Sequence, residues 1–119
     1  MEPIFDAEGD PVGWRHEGVV YDLDGAPRAF LQGENIFDYD GLYLGRLDRG
    51  FFRDAAGDAV AFLSGATGGP LKPLTGLPPL APMLQLPPLR PLPEPLPLPP
   101  LPSLDWSDLE WEDFLAGTE

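Results

Sequence analysis

Asp6-Ala7-Glu8-Gly9, Asp22-Leu23-Asp24-Gly25, Asp38-Tyr39-Asp40-Gly41 and Asp54-Ala55-Ala56-Gly57 stand sixteen residues apart without a slip. Asp at the head of such a turn accepts hydrogen bonds from backbone N–H groups ahead of it, and Gly tolerates positive φ at its end. Working outward, two mostly apolar residues precede each Asp: Ile4-Phe5, Val20-Tyr21, Ile36-Phe37 and Phe52-Arg53. After each Gly the chain returns through Val12-Gly13-Trp14-Arg15, Arg28-Ala29-Phe30-Leu31, Leu44-Gly45-Arg46-Leu47 and Val60-Ala61-Phe62-Leu63. Two β-rich runs flanking a tight turn make a hairpin. A lone hairpin is marginal in water, so the four must share a core. Equal spacing predicts an all-β fold of four tandem 16-residue β-hairpins in a pseudo-four-fold ring, a miniature propeller or flower.

One column supports the ring. Gly13, Ala29, Gly45 and Ala61 are all small, as needed where equivalent strands crowd near an axis. Trp14, Phe30, Phe62, Leu31, Leu47 and Leu63 fill the space beside them, and apolar surface left over needs a second copy or the chain's own tail to cover it. Four units of apolar-aromatic-Asp-x-x-Gly-x-x-apolar-small-aromatic, then a Pro-rich stretch and a Trp-containing terminus, resemble the bacterial four-fold beta flower family. The likeness covers residues 3–66 well and the tail loosely. It implies four hairpins around a pseudo-four-fold axis and brings with it no catalytic residues and no established molecular function.

Composition divides the chain into a repeat domain (1–66), a Pro/Leu-rich linker (67–102) and an acidic-aromatic tail (103–119). The first carries 13 acids against five Arg, the second holds 14 of 17 prolines and a net charge of +1, and the third has six acids and no base. A total of −13 with seven Lys and Arg repels a nucleic-acid backbone. Cysteine is absent, which removes disulfides and thiol chemistry. The start Met1-Glu2-Pro3-Ile4-Phe5-Asp6 has neither a basic region nor a long apolar run, so the expected location is cytoplasmic, with no membrane partner. One Asn, two Gln and two Met hint at a thermophile, although genome base composition explains the scarcity equally well.

In residues 67–102 proline removes donors and favours polyproline II, so the segment is expected as an extended spacer. At about 3.1 Å per residue it spans on the order of 110 Å. Eleven leucines are unusual for a solvated linker and suggest that parts of it drape over apolar surface. Pro88-Leu89-Arg90-Pro91 matches a PxxP ligand, as any Pro-rich run will. In the tail, Ser107 with Glu110 forms a capping-box pattern, and Trp111, Phe114 and Leu115 share one face of a short helix that Gly117 ends. With Trp106 and Leu109 they form the predicted docking face, for a partner protein or a neighbouring copy, with a homo-oligomer as a possible result.

The turn carboxylates imitate the opening of a calcium loop, yet none continues into the full ligand pattern, and Ala56 takes the second acid's place in the last repeat. Turn chemistry for Asp6, Gly9, Asp22, Gly25, Asp38, Gly41, Asp54 and Gly57 is the simpler reading; no metal, cofactor or catalytic residue is assigned. Departures from the repeat are more informative. Arg46 replaces the aromatic of Trp14, Phe30 and Phe62, and Arg53 that of Phe5, Tyr21 and Phe37. Both are candidate anchors for an anion or for the acidic tail. His16, the only histidine, lacks a nucleophile arrangement around it. The expected function is a non-enzymatic protein-interaction or self-assembly module working through the tethered tail; the alternative is a small enzyme or ligand-binding protein using the axis or Arg46, Arg53 and His16.

Overall fold

The computed structural model describes residues 1–117. Eight antiparallel strands follow one another as β1 (Glu2–Asp6), β2 (Pro11–His16), β3 (Val19–Tyr21), β4 (Pro27–Gln32), β5 (Asn35–Asp38), β6 (Tyr43–Asp48), β7 (Phe51–Arg53) and β8 (Ala59–Leu63). Each pairs with the next, and β1 with β8 through Ile4↔Leu63, Phe5↔Phe62 and Asp6↔Ala61. The four-fold ring is therefore a closed barrel without a sheet edge.

Turn chemistry is the same four times. The Oδ1 atoms of Asp6, Asp22, Asp38 and Asp54 each accept two backbone N–H groups at 2.9–3.0 Å, from the residues two and four ahead. The turn glycines have φ between 86° and 91°. In every hairpin the register slips at one place, after Ile4, Val20, Ile36 and Phe52. A bulge bends a strand and increases its twist, and the same bend repeated around the ring lets such short strands close.

Inside, Ile4, Val20, Ile36 and Phe52 share one cluster with Ala29, Ala61, Leu31 and Leu63. The mouth beside the Asp-x-x-Gly turns is filled by the tail's helix α1 (Trp111–Leu115), whose Trp111, Phe114 and Leu115 join that cluster. Here the small column has its use. An added Cβ on Gly45 would lie 3.0 Å from Cε1 of Phe114 and collide with the Arg53 carbonyl, so a larger residue would unseat the plug. The helix starts at Trp111 with Glu110 as an N-cap that makes no side-chain bond, and Gly117 follows its end at φ 74°. The expected capping box does not form, because Ser107 Oγ donates to Asp54 Oδ2 at 2.5 Å and accepts from the Leu109 amide.

The Pro-rich segment differs most from the sequence expectation. It is no spacer with reach; it encircles the barrel once as a belt. The amides of Gly76, Gln85, Glu94 and Ser103 donate at 2.9–3.1 Å to the carbonyls of Gly9, Gly25, Gly41 and Gly57. Nine residues of belt thus match sixteen residues of barrel at every quarter. A length of about 110 Å at the polyproline II rise, closed into a circle, has a diameter of about 35 Å, and the molecule measures 36 × 35 × 22 Å. Polyproline II has three residues per turn, so one face of the belt carries Pro73, Gly76, Pro79, Pro82, Gln85, Pro88, Pro91, Glu94, Pro97, Pro100 and Ser103. Two prolines and then one donor face the barrel in rotation, and the residues spared from proline are the ones whose N–H meets a turn carbonyl.

Candidate interaction surface: buckle, plug and outer ridge

Each end of the belt is tied down by Arg53. Its guanidinium donates through Nη1 to the carbonyls of Gly57 (2.7 Å) and Ser103 (2.8 Å), and through Nη2 to that of Gly68 (3.1 Å). Gly68 opens the belt and Ser103 closes it, so one side chain acts as the buckle. The side chain is 1% exposed, with Asp48 3.4 Å from Nε. The residues at this position in the other three repeats, Phe5, Tyr21 and Phe37, offer at most one hydroxyl donor and cannot bond several converging backbone carbonyls at once. The departure from the repeat thus marks where the ring of belt starts and ends.

Arg46 is the register partner of Arg53 across β6 and β7, yet the two heads part, and Arg46 pairs with Glu34 at 2.8 Å. The acidic tail is held by another arginine. Arg28 grips Glu112 with two bonds of 2.7 and 3.1 Å, and the hydrogen bond to Glu112 holds the Arg28 guanidinium above its usual range despite partial burial. Sequence comparison of the repeats held the signal: Arg28 stands where Val12, Leu44 and Val60 are apolar. Arg90 was missed as well. It lies over the Phe30 ring at 5.0 Å and donates to the carbonyls of Leu31 and Gly18, pinning the belt to the outer wall.

The tail crosses the barrel wall like a staple. Trp106 packs outside, 6.1 Å from Phe51 and 6.0 Å from Phe62, where the Ala59 amide donates to the Asp105 carbonyl and the Ser107 amide to that of Ala59. Trp111 lies inside, edge-on to Phe52 at 5.3 Å and stacked on Phe114 at 5.6 Å. Between them Leu109 borders a hollow of about 480 Å³ lined by Asp54, Ala55, Ala56, Asp58, Ser107 and Asp108. Asp54 and Asp58 there already accept bonds from Ser107 and Ser103. His16 sits at a second hollow of about 390 Å³ under the belt, beside Val19, Tyr21, Leu84 and Arg90, with its Nε2 3.7 Å from Glu17.

The outer aromatics of the barrel are not left bare. Phe5, Trp14, Phe30, Phe37 and Phe62 are buried, with Leu84 of the belt packed against Trp14 and Tyr21. The belt turns a different face to solvent. Every third residue from Leu71 to Leu104 is Leu or Met, save Pro95. Those from Leu71 to Leu101 are 89–96% exposed, and Leu104 is 72% exposed. An apolar ridge, with Pro95 in place of one leucine, therefore runs around the rim of a disc whose barrel and tail hold nearly all its negative charge. Among the described residues no helix is long and apolar enough to cross a membrane.

The family model described as "4-fold beta flower protein" matches residues 2–115, taking in barrel, belt and plug together. Comparison with curated proteins and with solved structures found no match.

Proposed function

Because the chain belongs to the 4-fold beta flower family, whose description names an architecture and no activity, we propose a function from the surface itself: a non-enzymatic interaction module. The barrel displays the belt, and the belt's outer ridge makes the contact. One observation carries this reading, the repetition of apolar side chains at the polyproline II period with almost no contact to their own protein. Monomeric proteins rarely expose contiguous apolar patches beyond a few hundred Å², and a belt needed only for closure has no use for leucine on its far side. The tail then has an internal task. Its docking residues Trp111, Phe114 and Leu115 are taken up in the chain's own barrel mouth, which leaves the rim rather than the tail as the surface for a partner. The alternative of a ligand site on the axis is weakened by Phe114 and Trp111 filling it, and Arg53 is committed to backbone carbonyls.

A photoreactive group placed at Leu80 of the full chain tests the reading in cells of origin. Discrete protein adducts are expected from Leu80, whether with the same chain or with another. Adducts that arise only from a group at Leu109, or none from either, would remove the rim as the contact surface.

A further inference from the structure

Resting on the interaction-module reading, we propose that the occupant of the ridge is a second copy of this chain, and that discs associate rim to rim by interlocking their leucines. Two observations select the second copy. Charge is the first: the barrel and tail together carry −14, whereas residues 67–102 carry +1. The belt is the part of the surface where two such acidic discs can approach without strong repulsion.

Spacing is the second. Side chains on one face of a polyproline II helix recur every three residues, about 9.3 Å apart. Such a gap is roughly one leucine wide, so a neighbouring ridge with the same pitch fits tooth into gap. A ridge that reads itself this way needs no separate receptor. The contact is isologous, with about three neighbouring side chains of one disc, drawn from the stretch Leu77 to Leu89, entering the gaps of the other, as two-fold association requires.

Curvature sets its strength. A rim of about 18 Å radius, the value implied by the polyproline II length of the belt, diverges quickly from another, and about three leucines from each side can meet. A standard interface uses about 20–30 residues a side, so one rim contact is weak and reversible. The ridge runs around all four quarters, however, and each disc can hold several neighbours at once. Many weak contacts then add. The expected product is concentration-dependent association into open assemblies, strengthened as salt screens the charge of the barrels, rather than a tight dimer.

Sedimentation velocity of the full chain, from micromolar to millimolar and at low and high salt, tests this. Wild type should shift from monomer to a broad distribution of larger species as concentration and salt rise. The variant Leu77→Gln/Leu80→Gln/Leu86→Gln/Leu89→Gln should keep the wild-type urea midpoint, since these side chains are 94–96% exposed, and should associate at least tenfold more weakly. Leu98→Gln/Leu101→Gln, altering another quarter, should weaken it by a smaller factor. A strictly monomeric wild type, or equal association of wild type and the four-site variant, overturns the proposal. Binding of the wild-type rim to phosphatidylcholine vesicles without self-association also overturns it and names lipid as the occupant. A monomer that still yields Leu80 adducts with another protein defeats self-assembly alone; the interaction-module reading falls only if Leu80 gives no adduct.

Discussion

Replacing Arg53 by Met keeps an unbranched side chain out to about the position of Nε and removes the guanidinium that forms the buckle. Three hydrogen bonds from a charged donor are lost, to Gly57, Ser103 and Gly68. Each such bond contributes about 1.5–3 kcal/mol, which gives a gross loss of roughly 5–9 kcal/mol. Part is recovered, because Met buried in the same place returns about 1.5–3 kcal/mol and the freed carbonyls at the belt's ends can take up water. Asp48, 15% exposed, loses its buried counter-charge. The net cost is therefore about 3–5 kcal/mol, the range found when one partner is removed from a buried charged group.

Urea unfolding measures that total, and native-state amide exchange shows where it acts. The four belt amides are built-in reporters. Ser103 adjoins the buckle and should lose most protection, while Gln85, on a quarter not adjoining the buckle, should lose least, because the belt opens from its ends. An Arg53→Met protein with the wild-type midpoint would refute the reasoning. So would a loss of protection equal at Ser103 and Gln85, since the belt would then not be held by its ends.

Phe114→Ala removes the innermost residue of the plug and should cost about 3–5 kcal/mol in urea unfolding, as large-to-small changes of buried aromatics do. Gly25→Ala and Gly33→Ala form a controlled pair, since both positions have positive φ, 90° and 64°. An added Cβ on Gly25 would sit 2.5 Å from the Met83 carbonyl, whereas on Gly33 it would meet nothing within 4 Å. Gly33→Ala should cost only the backbone penalty of about 1–2 kcal/mol. Gly25→Ala should cost more and should speed exchange of the Gln85 amide, which only displacement of the belt explains; equal costs and an unchanged Gln85 would count against the belt's register.

The barrel was readable because its determinants are side chains in fixed places: Asp for its carboxylate, Gly for its φ, an apolar residue for the interior. The plug was readable too, as a face of Trp111, Phe114 and Leu115, although its seat was not. The belt escaped for a physical reason. Gly76, Gln85, Glu94 and Ser103 have in common only a backbone N–H, and no residue-type pattern connects them. Against a background of proline and leucine their spacing of nine reads as low complexity. Arg53 stood out as a departure, but two of its three partners are the carbonyls of residues 68 and 103, which only the closed belt brings together. The tail's anchor, Arg28, is equally visible as a departure in its column, but its partner Glu112 lies 84 residues away, and nothing in the spacing of the repeats connects the two.

The two repeats, sixteen in the barrel and nine in the belt, also restrict how this chain can change its length. Polyproline II turns by about 120° per residue. Deleting one residue at Pro79 would rotate everything downstream by a third of a turn, placing a residue other than Gln85 under the Gly25 carbonyl and swinging the following leucines off the rim. A surface segment of this composition ordinarily tolerates insertions and deletions freely; here losses are admissible only in whole quarters, and a lost quarter must take a hairpin with it. Relatives of this chain should therefore vary in the identity of belt residues far more than in their number.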